Sequence, residues 1–160
     1  MALCYFCTVM KKLIIVIALA SACFFANAQS KTLGGRINGL LGFGIEVEYE
    51  HYVANENFLN FGADLLFGNG FGMAVTGIYD FTIGHAGAFD FYAGPGVSVI
   101  FFAGEGGFFA PGIVGNIGAQ WNIGQHFALS LDYRPGIHYQ IGSQWLHSAY
   151  NVGLGIKYRW

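Results

Sequence analysis

From Thr32 onward the sequence alternates between apolar residues and small or polar ones, and this alternation constrains the fold more than any other feature. Successive side chains of a β-strand point to opposite faces, so a period of two predicts strands with one apolar and one polar face. The final segment shows the two sets most clearly, with Val152, Leu154, Ile156, Tyr158 and Trp160 on one parity and Gly153, Gly155, Lys157 and Arg159 on the other.

Eight alternating segments follow one another, separated by short stretches that contain Gly, Asn or Pro. The first segment, from about Thr32 to Leu40, is the weakest, and one long strand over residues 32–50 would reduce the count to seven. A single-chain bacterial membrane barrel has an even number of strands. The pattern therefore predicts an all-β fold, an eight-stranded antiparallel up-and-down β-barrel.

Two orientations of such a barrel compete. A secreted soluble barrel of the lipocalin type turns its apolar parity inward, whereas a transmembrane barrel turns it toward lipid. Charged residues make up 10% of the chain, against about a quarter in soluble domains. The polar parity is rich in Gly, Ala, Ser and Asn, which suit the narrow interior of an eight-stranded barrel. We therefore predict a transmembrane barrel, with the soluble lipocalin-like barrel as an alternative.

Aromatic residues make up 18% of the chain and concentrate at the predicted strand ends. Membrane barrels carry an aromatic girdle at each interface. The two predicted sets are Phe81, Phe91, Trp121, Phe127, Tyr158 and Trp160 near the tight turns, and Phe67, Phe101 and Tyr139 near the opposite ends.

The first residues of the chain have the composition of a secretory signal peptide rather than of a strand. Lys11 and Lys12 form a positive region, and residues 13–22 form an apolar run of suitable length. Ala26-Asn27-Ala28 then supplies an A-x-A cleavage site.

We accordingly predict that translation starts at Met10, that residues 1–28 are an upstream extension plus a cleaved signal peptide, and that residues 29–160 form a single outer-membrane barrel domain. Two alternatives stay open. Lipoprotein processing could occur at Cys23, and residues 13–26 could form a transmembrane helix, although they fall short of the roughly 20 residues that a helix needs to cross a bilayer.

Composition argues against several other functions. All three cysteines, Cys4, Cys7 and Cys23, precede the predicted barrel, so no disulfide or cysteine metal site is expected within it. The net charge is −2 and there is no basic stripe, which argues against nucleic acid as a partner. The Gly-rich stretch at residues 104–107 is not followed by the Lys-Ser/Thr of a phosphate-binding loop. We predict no cofactor, metal ion or catalytic residue.

Charged residues on the polar parity are the candidate functional residues. Charges in a medium of low dielectric constant need partners, so we predict an internal salt-bridge network that fills the lumen. The same side chains could instead line a narrow channel for small solutes, which stays as an alternative. The predicted network consists of Arg36, Glu46, Glu48, Asp64, Asp80, Asp132, Arg134, Lys157 and Arg159.

Three stretches, residues 91–96, 129–135 and 153–160, resemble the small outer-membrane β-barrel proteins of the outer-membrane protein A type, over about residues 31–160. The resemblance implies a place in the cell outer membrane, contact with outer-membrane lipids, and a structural or interaction role; it implies no oligomeric state. It also implies that the barrel assembly machinery reads a C-terminal signal, here carried by Leu154, Ile156, Tyr158 and Trp160.

Some barrels of this size are enzymes that modify lipid A with a His and a Ser near one rim. His147-Ser148, His126 and His138 are the residues to compare, but the His-x-Ser-Asn arrangement of the deacylases is absent. We predict that the protein is not an enzyme and keep a lipid A-modifying enzyme as an alternative.

Overall fold

The computed structural model describes residues 31–53, 56–68, 70–103, 107–149 and 151–160. The predicted leader lies outside these ranges. Among the described residues no helix is long and apolar enough to cross a bilayer. The described residues form ten strands: β1 Lys31–Asn38, β2 Phe43–Tyr52, β3 Phe58–Gly68, β4 Gly70–Ala86, β5 Phe89–Ala103, β6 Phe108–Ile123, β7 Phe127–Tyr133, β8 Gly136–Tyr139, β9 Trp145–His147 and β10 Val152–Arg159.

These strands close into a barrel of eight antiparallel strands. β7 and β8 pair with β6 in one continuous register and together form the seventh barrel strand. β9 pairs with β8, and β10 pairs with β7, so β9 and β10 form the eighth. β10 also pairs with β1, where Ile37 lies opposite Leu154. The predicted count of eight is therefore confirmed, and β1 and β2 are two strands of a hairpin.

The last two barrel strands are interrupted at the same level. Pro135 separates β7 from β8 and has no N–H to donate to the neighbouring strand. The N–H of Arg134 donates to the carbonyl of Asn151, and the N–H of Ser148 donates to that of Gly136. The register of β9 against β8 and that of β10 against β7 therefore differ by one residue. With this shift, Ser148 and Asn151 are both buried.

Apolar side chains cover the outside of the barrel and polar ones face the lumen. In β10, Leu154 and Ile156 are each 58% exposed, whereas Lys157 between Ile156 and Tyr158 is 1% exposed. The same alternation runs through β2, where Val47 is exposed and Glu46 is buried. The orientation predicted for a transmembrane barrel is confirmed, and the apolar interior of a lipocalin-like barrel is not what the described residues form.

The two ends of the barrel differ in their connections. The terminal end carries Lys31, Trp160 and the connections from β2 to β3, β4 to β5 and β6 to β7; the distal end carries the connections from β1 to β2, β3 to β4, β5 to β6 and β8 to β9. Exposed aromatic side chains occur at both ends, as predicted. Rings contact one another in pairs, Phe89 with Trp121 at the terminal end and Phe101 with Phe109 at the distal end.

Candidate functional site

Arg134 lies at the centre of a cluster of buried ions in the middle of the lumen. Its Nη1 is 2.8 Å from Glu46 Oε1, its Nε is 3.2 Å from Asp132 Oδ1, and its Nη2 contacts Glu48 Oε1. Both glutamates belong to β2, which β1 and β10 separate from β7. These contacts therefore cross the lumen rather than follow the sheet.

Arg36 and Lys157 extend the cluster on either side of Arg134. Arg36 Nη1 lies 2.8 Å from Glu46 Oε2, and its Nη2 lies 2.7 Å from Asp132 Oδ1. Lys157 Nζ lies 2.5 Å from Glu50 Oε1 and 3.7 Å from Glu48 Oε2. Glu50 lies on the same polar parity as Glu46 and Glu48. We call these seven residues the ion layer: Arg36, Glu46, Glu48, Glu50, Asp132, Arg134 and Lys157.

Two other predicted carboxylates lie in the lumen beside amides rather than cations. Asn38 Nδ2 donates to Asp64 Oδ1 at 2.5 Å. Asn116 Nδ2 donates to both oxygens of Asp80, at 2.9 and 3.0 Å. The amide partners were not identified from the sequence, since asparagine on the polar parity reads equally well as a small lumen residue.

Glycines on the inner parity leave the space that the ion layer occupies. A Cβ atom added to Gly62 would lie 1.8 Å from Glu46 Oε1, and one added to Gly153 would lie 2.0 Å from Arg36 Nε. The small residues of the polar parity therefore have a geometric role, because they make room for long ionic side chains from neighbouring strands.

An apolar plug closes the lumen on the distal side of the ion layer. Its buried side chains point inward at the distal ends of the strands, and Leu41, Phe108 and Leu146 pack against them. The alternating pattern predicted apolar residues on the outer face, and this cluster is an exception. Parity does indicate the inward direction of these side chains. Leu66 lies on the same parity as Asp64, and Ile100 lies on the same parity as Ser98. The plug consists of Leu40, Leu66, Ala74, Ile100 and Ala110.

The histidines and serines do not form the rim pair that a lipid A enzyme would need. His147 is exposed, whereas Ser148 is buried and its hydroxyl donates to the carbonyl of Gly136 at 3.3 Å. A different pair, Ser98 Oγ and His138 Nε2, is 2.5 Å apart inside the lumen. The cavity beside that pair measures about 10 Å³, enough for a single water molecule and too small for a substrate.

A larger pocket, of about 330 Å³, opens at the terminal end of the lumen, and we call it the mouth pocket. Its wall includes a pairing of a histidine with two carboxylates: His85 Nδ1 lies 2.7 Å from Asp90 Oδ1, and His85 Nε2 lies 2.7 Å from Glu56 Oε2. We call these three residues the His85 clasp. Arg159, the last predicted network residue, lies in the opposite part of the wall and not in the ion layer. The wall consists of Tyr52, Glu56, Phe58, Thr82, His85, Asp90, Tyr92, Gln120 and Arg159.

No metal site is evident in the parts of the chain that the structure describes, where no three His, Cys, Asp or Glu side chains are grouped to hold an ion.

The fold resembles solved membrane-barrel structures. The N-terminal β-barrel domain of Pseudomonas aeruginosa OprF matches with a TM-score of 0.67 at 10% sequence identity, over 82% of this chain and 98% of that one. De novo designed transmembrane β-barrels match with a TM-score of 0.50 at 14% identity, over 84% of this chain and 98% of the design. No protein-family model and no curated protein sequence matches the chain. The chain has the fold of the eight-stranded outer-membrane barrels, as the sequence resemblance implied.

Proposed function

We propose that the protein is an integral barrel of the bacterial outer membrane, with a structural or interaction role and no catalytic activity. The observation that carries this proposal is the surface, where bulky apolar side chains face outward on every barrel strand while the ions lie within. Such a surface is stable in hydrocarbon, and a closed barrel leaves no unpaired strand edge there. The likeness to the barrel domain of OprF supports the same location.

Membrane fractionation combined with heat-modifiable gel mobility tests the location. The protein should sediment with outer membranes, require detergent for extraction, and migrate differently before and after boiling. Recovery in the soluble periplasmic fraction without detergent would overturn the proposal.

We propose further that the lumen does not conduct. The ion layer and the apolar plug lie in series, and the cavity between them holds no more than about one water molecule. Reconstituted into planar bilayers, the purified barrel should show no conductance steps. If the folded protein, with Leu66 unchanged, gives reproducible conductance steps and the heat-denatured protein gives none, the narrow-channel alternative is favoured.

The lipid A alternative has a direct assay. Purified protein incubated with lipid A should leave the acyl chains in place, because the hydroxyl of Ser148 is buried and bonded to the Gly136 carbonyl. Release of an acyl chain that is lost in His147→Ala would establish the enzyme instead.

The partners we propose are outer-membrane lipids and the barrel assembly machinery. The four signal residues are exposed on the outer face of the last strand, where another protein could contact them during insertion: Leu154, Ile156, Tyr158 and Trp160. Trp160→Ala should lower the amount of folded barrel in cells without changing its folding in detergent. Trp145→Ala is the control, since Trp145 is also an exposed tryptophan but lies at the distal end. Equal losses for both variants would contradict recognition of the C-terminal signal.

A further inference from the structure

The mouth pocket has the dimensions of a small-molecule site. Its volume of about 330 Å³ lies at the lower end of the range for ligand pockets, about 300–1,000 Å³. Aromatic rings form one side of the pocket. The ring centroid of Phe58 lies 5.2 Å from that of Tyr52 and 5.4 Å from that of Tyr92. The pocket therefore combines an aromatic wall with polar groups, as ligand sites commonly do.

Several polar atoms of this wall have no hydrogen-bond partner among the described residues. They are the hydroxyl of Tyr92, Oε1 of Gln120 and Nε of Arg159. Tyr92 and Gln120 are 1% and 2% exposed. Buried polar atoms are nearly always bonded, and leaving one without a partner is unfavourable. A ligand with a hydroxyl donor and an anionic acceptor would supply what these atoms lack.

The charge of Arg159 is also unmatched. Its Nη2 donates to two neutral acceptors, Tyr52 Oη at 3.3 Å and Asn122 Oδ1 at 3.1 Å. In the described part of the chain Arg159 forms no ion pair, whereas each arginine of the ion layer forms at least two. The carboxylates of the pocket rim, Glu56 and Asp90, are already bonded to His85. An anion from outside the chain is the partner that this guanidinium lacks.

We propose that the mouth pocket binds a small monocarboxylate that carries a flat apolar body and a hydroxyl group. The carboxylate pairs with Arg159, the body lies against the aromatic wall, and the hydroxyl bonds to Gln120 or Tyr92. A single negative charge is favoured over the double charge of a phosphate monoester, because Glu56 and Asp90 at the rim repel a dianion more strongly.

The first test uses 4-hydroxybenzoate as the probe, with the full chain folded in detergent. Titration is followed by NMR of the side-chain amides of Gln120 and Asn122 and by calorimetry. We expect saturable binding. The neutral isostere 4-hydroxybenzamide should bind more weakly by about tenfold or more, as the loss of a charge-assisted hydrogen bond implies. 4-Hydroxyphenyl phosphate should also bind more weakly than the acid, because Glu56 and Asp90 repel a dianion more strongly. No binding, or equal binding of acid and amide, would overturn the proposal.

Two variants locate the site. Arg159→Gln should abolish the preference for the acid over the amide, and Arg159→Lys should restore part of it. His126→Gln alters an exposed residue at the same end of the barrel, outside the pocket wall, and should leave the preference unchanged.

Tyr92→Phe provides a readout that does not depend on the charge. The hydroxyl has no partner among the described residues, so its removal should not lower the heat stability of the barrel. The substitution should weaken the binding of 4-hydroxybenzoate more than the binding of benzoate. Equal weakening of the binding of both probes would contradict a hydrogen bond between the ligand hydroxyl and Tyr92, and the outcome is independent of where the barrel resides in the cell.

Discussion

Inward-facing residues of β2 and β10 line both the middle of the lumen and its terminal mouth, yet the middle is filled and the mouth is open. In the middle, three cations face four carboxylates, and glycines such as Gly62 and Gly153 leave the space that the long side chains occupy. At the mouth, Arg159 faces aromatic rings and amides, and its neighbouring carboxylates are bonded to His85.

Parity decides which residues face the lumen but not what they do there. Complementary charge together with glycine opposite long side chains produces a packed layer. Aromatic residues and an unmatched guanidinium at the strand ends leave a pocket. If this distinction is correct, the ion layer contributes to stability and the mouth to binding, and substitutions in the two regions should have different consequences.

The largest expected effect is that of Arg134→Gln. The substitution leaves two cations against four carboxylates in the ion layer, and breaking a buried ion cluster in this way costs about 3–5 kcal/mol of unfolding free energy. Arg159→Gln, at the mouth, is the control and should cost less than about 1 kcal/mol, because that side chain is half-buried and forms no ion pair with another described residue. Urea unfolding in detergent, followed by gel mobility, measures both. Equal losses of unfolding free energy in the two variants would contradict the proposed difference between the two regions.

The double variant Glu46→Gln with Glu48→Gln should lower heat stability in detergent by a smaller amount, about 2–4 kcal/mol. It leaves three cations against two carboxylates, so the charge imbalance is smaller than in Arg134→Gln. An unchanged melting profile would show that the ion layer does not stabilise the barrel.

Gly153→Ala should cost about 1–3 kcal/mol, since its methyl group would overlap Arg36 and force the ion layer to shift. Gly35→Ala, in the paired strand, is the matched control, because the nearest atom to its added methyl group is 4.0 Å away. The same denaturation experiment ranks the two variants, and a loss at Gly35 equal to that at Gly153 would count against the spacing argument.

The smallest effect concerns the His85 clasp, which lies beyond the last pair of β3 with β4 at the terminal rim. Hydrogen bonds to Asp90 and Glu56 raise the pKa of the His85 imidazole above its ordinary value of 6.5. The folded-state pKa exceeds the unfolded one, so the contribution of the clasp is complete below about pH 6.5 and is lost as the pH rises through the raised pKa.

An NMR titration of the His85 ring checks the direction of this shift. The midpoint should lie above that of a free histidine, and Asp90→Asn should move it down. Because the clasp is exposed, global unfolding should change little with pH over this range. A midpoint that does not respond to Asp90→Asn would show that the clasp is not formed in solution.

The period of two was sufficient to predict the fold class, the eight barrel strands and the outward orientation of residues such as Leu154 and Ile156. It is a local property of the backbone, since alternate side chains of a strand face opposite sides whatever their partners are. The nine charged residues were also placed on the lumen side by parity alone.

The tertiary structure decided which of these charged residues contact one another. Arg134 and Glu46 lie 88 positions apart and join across the lumen only because β10 closes on β1. Parity also places Leu66 on the inner face, but the packing of the apolar plug and the separation of Arg159 from the ion layer depend on the level that each inward residue reaches along the barrel axis. That level follows from strand register, which no spacing along a single chain segment specifies.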